Sequence, residues 1–496
     1  MTYYDLFDFF KNQNFRMVIA ADAETRTSEK KGDKIIEKIP AGGVAIGLDP
    51  VARASRATYV ARSKNPLDKE VTHGRVIVNH PDGNYTLQRV FLTDSEMDDY
   101  YYGFSNQTVW PLCHVTFQEP IFRKDWYEGF KKINQRFTKA IKEEILGKTV
   151  VWINDYQMVL VPKYLDRPKN TTIGMFWHIP WPTWEVFRIL PQKKEILEGL
   201  LSCDFLAFHR GYHVRNFFET VRRELEARID EETHKIFYNG HETTVQNLPM
   251  GVDTDVIKSL VSVEKDYGPV TKVVRKVFGF EQEKNDTDIY FDKYKVLLGV
   301  DRLDYTKGIR LRLRAIDRFF EKYGKYIGKV IYLGVMAPSR EVIPSYKLLK
   351  KEIEVLTETI NKKYARDNWK PIHTISKSYP RKDVIRFFRK ASVCLVTPLD
   401  DGMNLVSKEF TVASSLSEKP GMLVLSQFAG SAIDLTKSLI VNPYNIEETA
   451  DAIKKGLEMD LKDKQVRMKD MTETLDEKNV YAWARDFITE TIASGK

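Results

Sequence analysis

Cysteine is scarce. Three are spread over 496 residues, Cys113, Cys203 and Cys394, too few and too far apart for a disulfide framework or a zinc-ligand spacing. Cys203 and Cys394 lie in apolar runs and read as small core residues. Long apolar runs are missing as well: none approaches the roughly 18 residues that a membrane-spanning helix needs. Residues 1–15 mix aromatics with Asp and Lys and lack the basic start and continuous apolar core of a secretory signal. A reduced, cytoplasmic protein that neither crosses nor inserts into a membrane is the expectation. Phosphate-loop signatures are absent too, with no G-x-x-x-x-G-K-[ST] and no G-x-G-x-x-G after a strand. Asp253-Thr254-Asp255 and Asp286-Thr287-Asp288 have the form of a metal-binding D-x-D, but they fall in or beside charged, loop-like sequence and read as chance. No His/Asp/Glu spacing fits a metal ion, and no internal repeat or low-complexity tract stands out.

What is present is a chain too long for one ordinary core, so two domains are expected. Apolar residues make up 43% and charged residues 29%, well mixed, which excludes extended disorder. The net charge of +8 is scattered in short clusters. That fits a phosphorylated or otherwise anionic substrate at least as well as nucleic acid, for which no interleaved basic and aromatic motif is visible.

Short apolar runs alternate with helical periodicity along most of the chain, as in open parallel α/β sheets. Residues 16–21 read as a first buried strand, followed by a polar loop over 22–40. Ala41-Gly42-Gly43-Val44 then leads into a helical pattern over 45–57. A Gly-Gly pair before a helix lets main chain approach a phosphate, although a lone pair is more often a plain turn. Residues 100–110 read as an aromatic-rich loop and 125–145 as a helix. Strands over 149–153, 172–177 and 204–208 end in Asn154-Asp155-Tyr156, His178-Ile179-Pro180 and His209-Arg210. Ligands bind just past such carboxyl ends, so Asp155, His178 and His209 share a rim.

A second series follows a linker at 248–253 and a charged helical stretch over 254–290. Its strand over 295–300 ends in Asp301-Arg302-Leu303-Asp304-Tyr305-Thr306-Lys307-Gly308, with a helix starting near Leu311. Two cations beside a helix start form a diphosphate cradle in charge and geometry. The strand over 329–335 ends in Ala337-Pro338-Ser339-Arg340, and 346–365 reads as an amphipathic cover helix. An apolar run over 391–399 leads to Asp401-Gly402-Met403-Asn404-Leu405-Val406, with Lys408 and Glu409 on the next turn. Here Asp401 can accept from sugar hydroxyls, while Asn404 and Leu405 offer main-chain donors at a helix start. Strands over 422–426 and 438–441 and a helix over 479–494 complete the order.

These motifs, in this order, resemble the trehalose-6-phosphate synthase family of retaining glycosyltransferases. The resemblance rests on Phe104-Ser105-Asn106, Trp152-Ile153-Asn154-Asp155-Tyr156, Trp177-His178-Ile179-Pro180-Trp181-Pro182, the Asp301–Gly308 and Thr397–Val406 segments, Ala337-Pro338-Ser339-Arg340 and Ser426-Gln427-Phe428-Ala429-Gly430. It covers the chain from about residue 90 onward. It implies the α/β GT-B fold, two Rossmann-like domains with parallel sheets facing across a central cleft. Residues 1–253 would bind the acceptor, 254–478 the nucleotide sugar, and 479–496 would form a helix crossing back.

The activity it implies is α,α-trehalose-phosphate synthesis: glucose passes with retention from a nucleotide sugar, usually UDP-glucose, to glucose 6-phosphate. By that resemblance Arg302 and Lys307 hold the leaving diphosphate. Gly42, Gly43, Asp401, Gly402, Met403, Asn404, Leu405, Val406 and Glu409 hold the donor. His178 meets the donor sugar, and Tyr101, Trp110, Asp155 and Arg340 meet the acceptor. Arg302, Lys307, His178 and Asp155 form the catalytic set. No cofactor and no metal is implied, only small-molecule substrates, and a homo-oligomer is compatible with it. The departure from the family lies at Ala21-Asp22-Ala23, where the family carries Ser-Asn-Arg and that Arg binds the acceptor phosphate. A family Trp is replaced nearby, by Tyr59. Arg26, Arg56 or Arg62 takes over, or the acceptor differs, as in glucosylglycerol-phosphate synthases. A sugar-phosphate sensor without activity is the reading from another class.

Overall fold

The computed structural model describes residues 1–31, 34–38, 43–72, 74–265 and 288–495. The chain divides into two compact units, Met1–Gly251 with Val480–Lys496, and Val252–Asn479.

In the first unit the strands are β1 (Arg16–Ala23), β2 (Thr27–Lys31), β3 (Lys34–Lys38), β4 (Thr58–Arg62), β5 (Arg75–Val78), β6 (Tyr85–Val90), β7 (Thr149–Asn154), β8 (Thr171–Trp177), β9 (Phe205–Phe208), β10 (Arg228–Asp230), β11 (Lys235–Tyr238) and β12 (His241–Asn247). Ten of them form one sheet in the order β10-β11-β12-β9-β8-β7-β1-β4-β6-β5. The stretch from β12 to β6 is parallel throughout, and antiparallel pairs finish both edges. Parallel strands covered on both faces are built from continuous apolar runs, which is why β1, β7, β8 and β9 stand out in the sequence. The short edge strands β5, β10 and β11 carry charges among their apolar residues and have no such signature.

Two expectations need correction. The region expected as a polar loop over 22–40 contains the end of β1 and the antiparallel hairpin of β2 and β3. The aromatic segment is no loop but a wide helical coil, Asp98–Val109, continued by the helix Trp110–Cys113. Its carbonyls are met five residues on by side chains: Ser105 Oγ donates to Tyr100 O (2.7 Å), Asn106 Nδ2 to Tyr101 O (2.7 Å) and Gln107 Nε2 to Tyr102 O (3.0 Å). Gly103 faces the Trp126 ring so closely that a Cβ would stand 2.6 Å from it. Tight packing thus holds a five-residue repeat that local propensity would not choose.

The helix Val480–Ser494 belongs to this unit. Phe487 stacks on Trp152 with ring centres 4.2 Å apart. Gly174 of β8 lets the helix approach, since a Cβ there would come 2.5 Å from Thr491 Oγ1.

The second unit has β13 (Lys295–Arg302), β14 (Val330–Ala337), β15 (Ile372–Ile375), β16 (Val393–Val396), β17 (Met422–Ser426) and β18 (Leu439–Val441). They form an all-parallel sheet ordered β15-β14-β13-β16-β17-β18. The chain builds outward from β13 in one direction and from β16 in the other, so the order reverses between these two strands. In the first unit the same reversal falls between β1 and β7. Open parallel sheets bind ligands at the carboxyl ends of strands at such reversals. All three cysteines are buried and unbridged.

Candidate functional site

In the first unit, β7 ends at Asn154 and runs into Asp155, which takes a left-handed backbone, φ 74°. For a residue other than glycine that conformation costs on the order of 1–3 kcal/mol. Its Oδ1 accepts from the main-chain N–H groups of Tyr156 (3.0 Å) and His178 (3.1 Å), which offsets the strain and fixes the carboxylate at the rim. His178 is buried at the end of β8. Asn154 donates through Nδ2 to Ala20 O (3.2 Å), so its Oδ1 is the acceptor and His178 Nε2 is the donor, at 3.0 Å. That leaves Nδ1 of His178 as a lone-pair acceptor for a hydroxyl. Its ring stacks on Phe176 at 4.4 Å, with His209 at 5.3 Å.

Burial pushes the His178 imidazole down to about 3 from 6.5, so it is a neutral hydrogen-bonding group. The unfolded chain takes up a proton as pH falls through about 6.5, while folded His178 refuses it until about 3. Stability is therefore fully present above about 6.5 and falls as pH drops below it. His213, pushed to the same range by its own burial, adds a second such contribution. His178→Gln is expected to make the melting temperature fall less steeply between about pH 7 and pH 5. An unchanged slope contradicts a neutral, buried His178.

Tyr101 is half-buried and lies under the Arg62 guanidinium, 4.7 Å from its ring centre. Trp110 is buried against His114, ring centres 4.0 Å apart. It neighbours Tyr156, whose hydroxyl donates to Asn106 Oδ1 at 2.9 Å. Gly43 opens the helix Gly43–Ser55, and Gly42 lies outside the described residues. Of the three arginines near the altered end of β1, the structure separates one. Arg26 is paired with Asp49 and Glu37, both at 2.8 Å. Arg56 is exposed ahead of the amino end of β4, over the Phe7 ring. Arg62 ends β4, in register with Ala23, and is bound through two nitrogens to Asp22 of β1 (2.8 and 2.7 Å).

The second unit gathers its charges at the reversal between β13 and β16. Asp304 is fully buried there. It accepts from Thr306 N (3.1 Å), Arg340 Nη1 (3.2 Å) and the Tyr346 hydroxyl (3.1 Å). Burial alone would raise its carboxyl, but Arg340, Arg302 and Lys307 outweigh that and hold it below the usual carboxylate range. Arg340 thus contacts this buried anion directly, and Arg302 and Lys307 act on it through their charge. Gly308 supplies the left-handed turn, φ 67°, that starts the helix Ile309–Lys322. A Cβ at that position would stand 2.3 Å from Thr397 O.

Lys307 Nζ reaches Asp401 Oδ2 at 2.5 Å, and Asn404 Nδ2 donates to the same oxygen at 3.0 Å. Asn404, φ 78°, caps the helix Leu405–Ser415 by accepting from Ser407 N at 3.0 Å. The Leu405 and Val406 N–H groups open this helix, where a phosphate or hydroxyl finds donors and a favourable dipole. Met403 is buried behind the loop, and its carbonyl accepts from Ser431 N at 2.6 Å. Gly402 O stands 1.9 Å from where a Cβ of Gly430 would lie. One turn along, Glu409 Oε1 accepts from Arg381 Nε (3.1 Å) and Nη2 (2.8 Å).

The structure therefore unites Asp155 with His178, Tyr101 with the Asp22–Arg62 pair, and Arg302, Lys307 and Arg340 around Asp304. Asp401 to Val406 and Glu409 form a continuous loop and helix start. Sequence reasoning missed Arg381 and Tyr346, whose partners lie 28 and 42 residues away along the chain, and no local pattern marks either. Among the described residues no group of His, Cys, Asp or Glu is arranged to hold a metal ion. No described helix is long and apolar enough to cross a membrane.

Residues 14–492 match the family model described as Glycosyltransferase family 20. An alpha,alpha-trehalose-phosphate synthase [UDP-forming] of Candida albicans is 33% identical over 82% of this chain and 82% of its own length. A solved alpha,alpha-trehalose-phosphate synthase (UDP-forming) from Burkholderia xenovorans in complex with glucose-6-phosphate superposes with a TM-score of 0.82 at 30% identity, covering 96% of this chain and 99% of that one. The solved E. coli protein bound with UDP-2-fluoro glucose gives 0.81 at 27% identity, covering 96% and 98%.

Proposed function

This chain belongs to glycosyltransferase family 20, and from that premise we propose that it transfers glucose from UDP-glucose to glucose 6-phosphate, forming α,α-trehalose 6-phosphate with retention at the anomeric carbon. The observation that carries the reading is the gathering of Arg302 at the end of β13, Arg340 on buried Asp304 and Lys307 on Asp401 at the start of the Asp401–Val406 loop. Cleavage of the donor's anomeric C–O bond leaves negative charge on a diphosphate. Fixed cations at a helix start stabilise that charge as it develops. In this mechanism a phosphate oxygen of the leaving group takes the proton of the attacking acceptor hydroxyl as the new C–O bond forms on the same face. No protein base and no metal ion is then called for.

Asp401 and Asn404 bind sugar hydroxyls, and Leu405 and Val406 offer main-chain donors to the diphosphate or ribose. Glu409, held by Arg381, binds the ribose diol. His178 accepts a hydroxyl of the donor glucose, and Asp155, Tyr101, Trp110 and Arg340 orient the acceptor. Lys307 and Asp401 neutralise each other at 2.5 Å, so donor binding exchanges part of this contact for phosphate and hydroxyl partners. The substrates are small molecules, nucleic acid is no partner, and the enzyme acts in the cytoplasm.

The test is to incubate the purified full chain with UDP-glucose and glucose 6-phosphate and to measure UDP release together with the disaccharide phosphate. Release coupled to an α,α-linked product supports the reading. No product, or product only when glycerol 3-phosphate replaces glucose 6-phosphate, overturns it.

A further inference from the structure

On the transfer reading above the first unit recognises a phosphorylated hexose, yet β1 ends in alanine at residue 23. The register puts Arg62 of β4 directly beside Ala23, one strand spacing of about 4.8 Å away. Its side chain does not continue outward. It turns back over the end of β1, where Nε and Nη2 donate to the two oxygens of Asp22 at 2.8 and 2.7 Å. Asp22 is fixed in turn by the Tyr100 hydroxyl, which donates to Oδ1 at 3.2 Å. The face of the guanidinium rests on Tyr101. The Arg62 side chain is only 6% exposed, and its Nη1 has no hydrogen-bond partner among the described residues.

The other arginines of this region are spent or distant. Arg26 is held by Asp49 and Glu37, Arg53 by Asp49 and Asp82, and Arg89 by Glu24 and Asp68. Arg210, past the end of β9, is three strands away from β1 in the sheet.

We infer that Arg62 grips the phosphate of a hexose-phosphate acceptor through the Nη1 edge that Asp22 leaves open, with Asp22 and Tyr101 as its positioning residues. This assignment rests on the transfer reading above. The two-point hold by Asp22 fixes the plane of the guanidinium before the ligand arrives, so little side-chain freedom is lost on binding. Both partners remain charged: Arg62, despite its burial, is raised further above its usual range by Asp22, and Asp22 is held low by Arg62 against the effect of its own burial. A single alanine at residue 62 would strand a buried carboxylate and endanger folding. The variants are therefore Arg62→Lys, which keeps the charge, and the double change Asp22→Asn with Arg62→Gln, which removes both charges and leaves an amide pair.

The experiment measures steady-state KM for glucose 6-phosphate and for UDP-glucose, together with calorimetric binding of UDP. Loss of one charge-assisted contact corresponds to about ten- to a hundredfold. The expected result is an acceptor KM raised about tenfold in Arg62→Lys and about a hundredfold in the double variant, with donor KM and UDP affinity within about twofold of the parent. An unchanged acceptor KM overturns the assignment, as does equal weakening toward donor and acceptor. Absence of any turnover by the parent chain with glucose 6-phosphate overturns the transfer reading, and this assignment with it.

Discussion

Arg302→Ala is expected to lower kcat by at least about a hundredfold, with a much smaller change in the KM for UDP-glucose. Arg302 is exposed at the end of β13 and is one of the three cations facing Asp304. Its removal leaves Asp304 with Arg340, Thr306 and Tyr346 as hydrogen-bond partners, so the fold is not at stake and the melting temperature should hold. What is lost is a fixed charge where the leaving diphosphate gains its negative charge. Donors of that kind contribute about 10²–10³ in kcat when deleted singly. An interaction realised in the transition state lowers kcat and kcat/KM together, whereas one that only binds substrate raises KM alone. Steady-state kinetics at saturating acceptor separate the two, and an effect confined to KM contradicts the role. Arg302→Lys should recover part of the rate, since charge is kept while the planar two-point geometry is lost.

Gly430→Ala should damage the donor loop without touching any charged residue. A Cβ at residue 430 would lie 1.9 Å from Gly402 O and 2.7 Å from Met403 Cα, both main-chain atoms. No rotamer relieves a clash with backbone, so the segment must move. Gly430 N donates to Asp401 O at 2.9 Å, and Ser431 Oγ meets Ser407 Oγ at 2.7 Å. Displacement there pulls Asp401 away from Lys307 and disturbs the cap of the helix Leu405–Ser415. Overpacking of this kind costs about 1–3 kcal/mol, which lowers the melting temperature of a domain this size by roughly 2–12 °C. Donor KM should rise as well, by at least about tenfold. Gly324→Ala is the control: nothing lies within 4 Å of its Cβ position, and it should change neither quantity. Normal donor binding by Gly430→Ala would mean that the loop does not form the donor grip.

Much of the second unit is legible in the sequence. Each of β13, β14, β16 and β17 is buried on both faces and is announced by an unbroken apolar run, and each ends in polar residues that a buried strand would exclude. Arg302, Lys307, Arg340 and Asp401 were therefore found by position along the chain. The same holds for Asp155 and His178 past β7 and β8. The hairpin of β2 and β3 was not legible, because its alternating charged residues match a loop as well as a two-stranded ribbon. The coil over Asp98–Val109 is not legible either, because its spacing of five residues is imposed by Gly103 against Trp126 and by side chains that satisfy its carbonyls. Neither cause has a local periodicity.

The sequence by itself determined the order of the most apolar strands, the family, and which residues stand at the ends of those strands. The strands and their ends follow from apolar periodicity within a few tens of residues, and the family from the resemblance of its motifs. Tertiary structure alone decided which strand ends are neighbours, and with that the partners of each charge. It set Arg62 beside Ala23 and turned it onto Asp22, spent Arg26 on Asp49 and Glu37, sent Arg56 to the far end of β4, and gave Glu409 its Arg381. The reason is physical: strand register and ion pairing join residues separated by tens of positions, and nothing in the spacing along the chain encodes which of several arginines will be brought across.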